Sequence, residues 1–235
     1  KDYVEALYLE SNLIIEDWNT INSLNCENEN NPFNPPTLSQ NINKKQYLNK
    51  IDLLKNHINR GDVYEANFCF EWFSEHAKID PLYVYKILNK ISKSPMSVYF
   101  KNKELHLICS SPERYLKKYK NKLTSQPIKG TSRRDEDLII DNRLKDKLKL
   151  DPKERSENIM IVDLVRNDMS RFSKPGSVKV KELCEVYPFK QVHQMISTIE
   201  SKVDSSLKIS KIIEGSFPMG SMTGAPKVKA MKIID

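Results

Sequence analysis

The residues with the clearest chemical potential lie around Lys129, in the stretch TSQPIKGTSRR at 124–134. A Pro-Ile-Lys-Gly run is typical of a turn, where a lysine ordinarily faces water. The segment before it alternates about a polar centre at residues 120–122 and predicts a hairpin. With that turn centred on Asn121, Glu113 lies opposite Lys129, with the two β-carbons about 5 Å apart. The alternative is a surface ion pair that contributes little.

A second candidate is the pair Glu154 and Glu157 in KERSEN, three residues apart on a predicted helix and therefore on one face. Two carboxylates at this spacing can hold Mg²⁺, a hard cation that takes oxygen ligands and keeps several waters. Glutamate pairs on solvated helix faces are common, so the spacing alone leaves both interpretations open. The apolar NIMIV that follows indicates that this helix is not wholly in water.

Two weaker signals come later in the chain. His193 lies in an apolar run. It is either a core histidine with its hydrogen bonds satisfied or a residue that donates a hydrogen bond or helps a leaving group to depart. The stretch GSMTGAPK offers Ser221, Thr223 and Gly224 just before a helix, where free backbone N–H groups and hydroxyls can bind an anion. It matches neither a P-loop nor a dinucleotide fingerprint, so a flexible connection is the alternative.

The elements that must position these residues follow from periodicity and turn residues. An Asn- and Pro-rich stretch at 22–43 predicts a linker. Clustered helices and strands, rather than strict alternation, favour an α+β fold with antiparallel sheets. The predicted helices cover 44–62, about 80–92, about 135–150, 153–172, 206–218 and 226–235, and the predicted strands cover 63–73, a hairpin around 101–103, the hairpin around 120–122, 177–189 and 191–203.

Composition limits the function classes. The net charge of +7, from 38 Lys and Arg against 31 Asp and Glu, comes from scattered lysines without aromatic interleaving, which argues against a nucleic-acid partner. No apolar run is long enough to cross a bilayer. The four cysteines lack metal or redox spacing and are expected to be buried thiols of a reducing compartment. We therefore expect a cytoplasmic protein with no membrane and no nucleic-acid partner.

Six blocks, in this order along the chain, resemble one family, the chorismate-utilising enzymes, and within it the subunit that aminates chorismate in aminodeoxychorismate synthases. They are GDVYEANFC (61–69), SSPERYL (110–116), QPIKGTSRR (126–134), ENIMIVDLVRND (157–168), GSVKVKELCEVYPFKQVHQMIST (176–198) and FPMGSMTGAPKVKAMKIID (217–235). The resemblance implies a catalytic domain at 45–235, incomplete at its C-terminus, with residues 1–44 as a linker or the remnant of an N-terminal subdomain.

The resemblance also implies a fold, a reaction, a metal and a partner. The fold is α+β, with two antiparallel sheets packed face to face and helices outside. The reaction is amination of chorismate at C4 on the route to 4-aminobenzoate and folate, with Mg²⁺ at the C1 carboxylate. A glutamine amidotransferase subunit supplies the ammonia. The lysine of PIKGT separates this subfamily from anthranilate synthases, which carry a small residue there.

Residue roles follow from the same resemblance. Lys129 is the nucleophile that attacks C2, and Glu113 donates a proton to the departing C4 hydroxyl. His193 lies beside that leaving group, while Gly130 and Thr131 contact a substrate carboxylate. Glu154 and Glu157 bind Mg²⁺. This chemistry requires a neutral Lys129 and a protonated Glu113, so burial should raise the pKa of the acid.

One residue departs from the family pattern. Glu65 stands where the water-adding members place a lysine base and most amine-adding members place a glutamine, so it argues against water addition but has no assigned role. The family also continues beyond residue 235 with further substrate and Mg²⁺ ligands, and the chain on its own is expected to have little activity. The remaining alternatives are anthranilate synthase component I and a non-catalytic basic binding module.

Overall fold

A computed structural model describes residues 14–23 and 35–235 of the chain. Contacts group the chain into two compact units, Lys1–Pro35 and Pro36–Asp235. The first contributes one described helix, α1 (Ile14–Ser23), which the sequence did not predict. In the second, the helices are α2 (Lys44–Asn59), α3 (Pro81–Ser92), α4 (Leu138–Leu150), α5 (Pro152–Ser170), α6 (Ile209–Ser216) and α7 (Lys227–Ile234).

Eleven strands are assigned in the described residues. They are β1 (Ser39–Gln40), β2 (Glu65–Ala66), β3 (Trp72–Phe73), β4 (Met96–Asn102), β5 (Leu105–Ser111), β6 (Arg114–Tyr119), β7 (Lys122–Gln126), β8 (Ile128–Arg133), β9 (Lys179–Pro188), β10 (Val192–Lys202) and β11 (Gly224–Ala225). All their pairings are antiparallel. The α+β class with antiparallel sheets is therefore confirmed.

The central sheet is built on β10, the longest strand. β9 pairs along one edge of β10, while β7 and then β8 pair along the other, and β6 adds outside β7. Besides this five-stranded sheet, the described residues form three two-stranded ribbons, β1 with β3, β2 with β11, and β4 with β5.

Most predicted elements are present with shifted ends. The predicted strand at 63–73 is an exception, because only β2 and β3 form within it and the residues between them have no strand partner. The Asn-rich linker also contributes structure, since Asn43 caps α2 by accepting a hydrogen bond from the Gln46 N–H at 3.0 Å.

The core lies between α5 and the central sheet. One face of α5 packs on strands β7 and β10 and on α6, with Ile161 and Ile199 fully buried. A smaller cluster joins α4, β9 and β10 through Leu148, Cys184 and Met195. Within residues 14–23 and 35–235, no helix combines the length and apolar character that a bilayer crossing requires.

A buried polar side chain fixes α5 to the sheet at one point. The Asn158 amide donates to the backbone carbonyls of Lys129 on β8 and Met195 on β10, both at 3.2 Å. Its oxygen accepts from the Ser197 hydroxyl at 2.5 Å and the Cys184 thiol at 3.7 Å. Because Asn158 is only 1% exposed, water cannot replace these bonds.

We expect Asn158→Ala to lower the free energy of unfolding by about 3 kcal/mol or more, because it removes the hydrogen bonds that two carbonyls and a buried hydroxyl make with Asn158. Asn167→Ala, at an exposed position on the same helix, is the matched control and should change stability by less than about 0.5 kcal/mol. Urea denaturation of both variants measures the difference, and equal effects would contradict the role given to Asn158.

Candidate active site

A β-bulge at Lys129 and Gly130 shapes the centre of the site. Between paired positions, β8 takes three steps from Ile128 to Thr131 while β10 takes two from Ile196 to Gln194. Gly130 has φ +97°, a conformation that side chains disfavour. A β-carbon there would also lie 3.1 Å from Cβ of Met195, so glycine is required for both reasons. Bulges of this kind change the direction of side chains and are frequent beside active sites.

Lys129 forms an ion pair with Glu65 on β2. Its ammonium donates to Glu65 Oε1, and the two side chains are only 16% and 15% exposed. The other carboxylate oxygen of Glu65, Oε2, is buried and has no hydrogen-bond partner among the described residues. Lys129 therefore does not face water as an ordinary turn lysine would.

The predicted pairing of Glu113 with Lys129 across a hairpin is wrong. The turn has two residues, Lys120 and Asn121, and Lys120 is left-handed at φ +52°, so the ladder closes between Tyr119 and Lys122 instead of around Asn121. A further shift pairs Arg114 with Gln126. Pro127 then separates β7 from β8, because it has no N–H to continue the ladder.

Glu113 nevertheless reaches the site by another route. Its Oε1 accepts from the Ile128 backbone N–H at 3.1 Å and from the Ser221 hydroxyl at 2.6 Å. Burial raises the pKa of the Glu113 carboxyl, although both of these hydrogen bonds and the nearby Lys129 charge oppose the increase. The direction expected for a general acid is thus present.

The loop before α7 is ordered by its own contacts. β11 pairs with β2, setting Ala225 opposite Glu65, and a β-carbon on Gly224 would lie 2.2 Å from the Glu65 carbonyl oxygen. Gly224 therefore permits the close approach that positions Glu65. The Thr223 hydroxyl donates to the Gly220 carbonyl at 3.1 Å, and the Ser221 hydroxyl donates to Glu113. Both hydroxyls therefore already have acceptors, whereas the sequence predicted that they were free to bind an anion.

The two candidate metal ligands lie one helical turn apart at the start of α5. Asp151 caps this helix by accepting from the Lys153 and Glu154 N–H groups at 3.0 and 3.1 Å. The Lys153 ammonium lies 3.2 Å from Glu157 and 3.7 Å from Glu154, so both carboxylates converge on one cation. A β-carbon at Gly130 would lie 3.3 Å from Oε2 of Glu154, so Glu154 lies against the bulge.

These carboxylates fit Mg²⁺ in chemistry and number. The described residues contain no cluster of three or more His, Cys, Asp or Glu side chains able to hold a metal. Mg²⁺ is commonly bound by one or two carboxylates, while water and substrate oxygens fill its other coordination positions, because it dehydrates reluctantly.

His193 is buried, 1% exposed, and its Nε2 lies 2.9 Å from Asp141 on α4. The Arg134 guanidinium also donates several hydrogen bonds to Asp141, and these hold the pKa of the Asp141 carboxyl well below its usual range. A permanently ionised Asp141 only accepts, so Nε2 carries hydrogen. His193 Nδ1 is buried without a partner among the described residues, and His193 is therefore not a fully satisfied core histidine.

The predicted residues thus gather around β8. Gly130 and Thr131 follow Lys129 directly, and His193 pairs with Ser132. The Thr131 hydroxyl is exposed and donates to Gln194 at 2.8 Å. Sequence reasoning missed Asn158, Asp141 and Arg134. Their polar character within predicted helices or next to PIKGT was visible, but their partners are far apart in the chain.

This chain is similar to known proteins along most of its length. The profile of the family described as chorismate binding enzyme matches residues 3–235. Aminodeoxychorismate synthase component 1 of Klebsiella aerogenes is 37% identical over 195 residues, 83% of this chain and 43% of that protein. The Escherichia coli K12 protein of the same name is 35% identical over 224 residues, 92% and 49% of the two chains. Anthranilate synthase component 1 of Bacillus caldotenax is 36% identical, covering 83% and 38%.

Solved structures give the same fold. Anthranilate synthase component I from Streptococcus pneumoniae superposes with a TM-score of 0.80 at 24% identity, covering 98% of this chain and 52% of that one. The menaquinone-specific isochorismate synthase of Escherichia coli gives 0.68 at 16% identity, covering 94% and 51%. The chain thus spans less than half the length of the curated relatives named above and about half of these structures.

The raised pKa of Glu113 has a consequence for stability. As pH rises through its ordinary value of 4.5, the unfolded chain loses the Glu113 proton before the folded chain does. The folded state then holds more protons, so its stability falls with rising pH through this window. Because glutamine does not titrate, Glu113→Gln should gain stability relative to the parent as pH rises from about 4 towards 7.

Urea denaturation across this pH range measures the difference. Exposed Glu104→Gln is the matched control and should show a nearly constant difference from the parent. A constant difference for Glu113→Gln as well would mean that burial does not raise the pKa of its carboxyl.

Proposed function

This chain belongs to the family of chorismate-binding enzymes, and from that premise we propose that it is the chorismate-aminating component of an aminodeoxychorismate synthase. The reaction exchanges the C4 hydroxyl of chorismate for an amino group. The observation that carries this proposal is Lys129, a mostly buried amine on a β-bulge with the carboxyls of Glu65 and Glu113 nearby. The resemblance also supports it, because the lysine of PIKGT separates the chorismate-aminating subfamily from the anthranilate synthases.

Lys129 and Glu113 perform the covalent step in this proposal. The Lys129 amine attacks C2 of the ring, the two ring double bonds shift, and the C4–O bond breaks. Glu113 gives its proton to the departing oxygen, which leaves as water. Both hydrogen bonds to the Glu113 carboxyl fall on Oε1, which leaves Oε2 to carry that proton. Ammonia then forms the C4–N bond, and the electrons of the breaking C2–N bond return to Lys129.

His193 and the bulge bind and orient the substrate. Because Asp141 fixes the hydrogen on Nε2, the unpartnered Nδ1 of a neutral His193 is an acceptor for the C4 hydroxyl. By resemblance, Gly130 and Thr131 contact a substrate carboxylate, and the exposed Thr131 hydroxyl would exchange its hydrogen bond to Gln194 for one to the substrate. Ser221 and Gly224 act indirectly, by bonding Glu113 and by allowing the approach of Glu65.

Glu154 and Glu157 would hold Mg²⁺ beside Gly130. When bound there, Mg²⁺ neutralises the C1 carboxylate of the substrate and offsets the negative charge that develops on the ring. Lys153, whose pKa is raised first by Glu157 and then by Glu154, is exposed and free to leave the two carboxylates.

The remaining proposals concern partner and compartment. We expect a glutamine amidotransferase subunit to supply the ammonia and the product to serve 4-aminobenzoate and folate synthesis. The described cysteines, Cys69, Cys109 and Cys184, are free thiols, which supports action in the cytoplasm. Cys69 is exposed, so the prediction that all four thiols are buried is wrong, and Cys26 lies outside the described residues.

Anthranilate synthase component 1 is the second candidate, because the Bacillus caldotenax protein of that name is 36% identical. That enzyme would release pyruvate and form an aromatic product after amination. The basic binding module has lost its support, since the family consists of enzymes and only the net charge favoured it.

The product formed by the complete protein from chorismate, Mg²⁺ and ammonia separates the two enzymes. We expect 4-amino-4-deoxychorismate, resolved by liquid chromatography and mass spectrometry, and Lys129→Ala should slow its formation by about two orders of magnitude or more. Exposed Lys101→Ala is the control and should retain the parent rate. Fluorescent anthranilate as the main product would refute the proposed reaction, and an unchanged rate in Lys129→Ala would refute the nucleophile.

Removal of one metal ligand should weaken Mg²⁺ binding. With chorismate present, Glu157→Gln should need about tenfold more Mg²⁺ than the parent for half of the thermal stabilisation. Asp163→Asn, on an exposed part of the same helix, should need the same concentration as the parent. An unaltered midpoint in Glu157→Gln would count against the ligand role.

A further inference from the structure

Glu65 is the one acidic side chain in direct contact with the amine of Lys129 in the described part of the chain. An amine must lose its proton before it can attack carbon, and both side chains here are largely shielded from water. Bulk solvent is therefore a poor acceptor for that proton, whereas Glu65 already receives the N–H hydrogen bond along which it would travel.

The backbone holds Glu65 in place on both sides. The Tyr64 N–H donates to the Ala225 carbonyl and the Asn67 N–H to the Thr223 carbonyl, both at 2.8 Å. The Asn67 side chain donates to the Ser221 carbonyl at 3.0 Å. β2 is thus tied to the same loop that bonds Glu113, so one loop holds both Glu65 and Glu113.

The second oxygen of Glu65 is an independent observation. Oε2 is buried without a hydrogen-bond partner among the described residues, although a buried carboxylate oxygen is normally paired. An oxygen left free in this way has the capacity to take up a proton, while Oε1 keeps its contact with Lys129.

We propose that Glu65 is a catalytic base that accepts the proton of Lys129 when the amine attacks. This inference rests on the proposed function, because it assigns a residue for the same reaction. One proton passes from Lys129 Nζ to the Glu65 carboxylate, and the freed electron pair on Nζ forms the bond to C2. The C4–O bond breaks, and Glu113 protonates the leaving oxygen. The proton on Glu65 remains within the site, so the pair exchanges no proton with solvent.

Other charged groups of the described residues lie on the elements around this pair. The Lys129 charge acts on Glu113, and Glu154 approaches Gly130 from α5. On α7, next to β11, the Lys227 ammonium is occupied by Asp168 at 2.5 Å and by two backbone carbonyls at 2.9 Å. Glu65 contacts Lys129 directly and is therefore the group placed to accept its proton.

The proton balance gives a specific test in the complete protein. The parent and Glu65→Gln are assayed for 4-amino-4-deoxychorismate between pH 6 and 9, with saturating chorismate and Mg²⁺ and with total ammonium adjusted to keep free ammonia constant. In the parent the proton stays within the pair. In Glu65→Gln, Lys129 must lose it to solvent, so the ratio of variant to parent kcat should rise by about tenfold per pH unit until the amine is deprotonated.

Taking the ratio cancels the titration of every group that the two proteins share. Glu65→Asp keeps a carboxylate and should give a ratio independent of pH, while Glu71→Gln, at an exposed position after β2, should match the parent in rate and profile. A flat ratio for Glu65→Gln, or activity lost at every pH, would overturn the role of Glu65. Absence of the product from the parent would instead overturn the proposed function.

Discussion

The amide of Asn158 is the contact on which the geometry of the site depends. The bulge at Lys129 and Gly130 interrupts the ladder between β8 and β10, and Asn158 donates to one carbonyl on each strand, those of Lys129 and Met195. Because Asn158 belongs to α5, the hydrogen bonds that it makes to the carbonyls at the bulge also fix the position of this helix. The same helix carries Glu154, which lies against Gly130 in the bulge, and Glu157 one turn further along.

Charge is arranged around this support in three different ways. Burial raises the pKa of Glu113, whereas the guanidinium of Arg134 lowers that of Asp141. Glu65 is ion-paired with Lys129 in a partly buried position. Three carboxyl groups close to one strand thus have different surroundings, which suit the separate tasks that we propose for Glu113 and Glu65. None of these surroundings is a property of the carboxyl group itself.

Local signals predicted the elements well. The predicted helices at 44–62 and 153–172 and the predicted strand at 191–203 lie near the observed α2, α5 and β10. The register of the β6 and β7 hairpin was wrong, because a lysine at positive φ and a two-residue turn have no strong sequence signal. The segment at 63–73 failed for a related reason, since its β propensity lacked neighbouring strands along most of its length.

The sequence by itself determined the kinds of groups available: an amine at 129, an acid at 113, paired carboxylates at 154 and 157, and a histidine in a buried strand. It also determined the family, since six blocks in one order carry the resemblance. Only the tertiary structure decided which groups meet. Lys129 contacts Glu65 rather than lying across a hairpin from Glu113, and Glu113 arrives through Ile128 and Ser221. These partners are 15 to 108 residues apart, and such contacts depend on strand register and loop packing that no local pattern encodes.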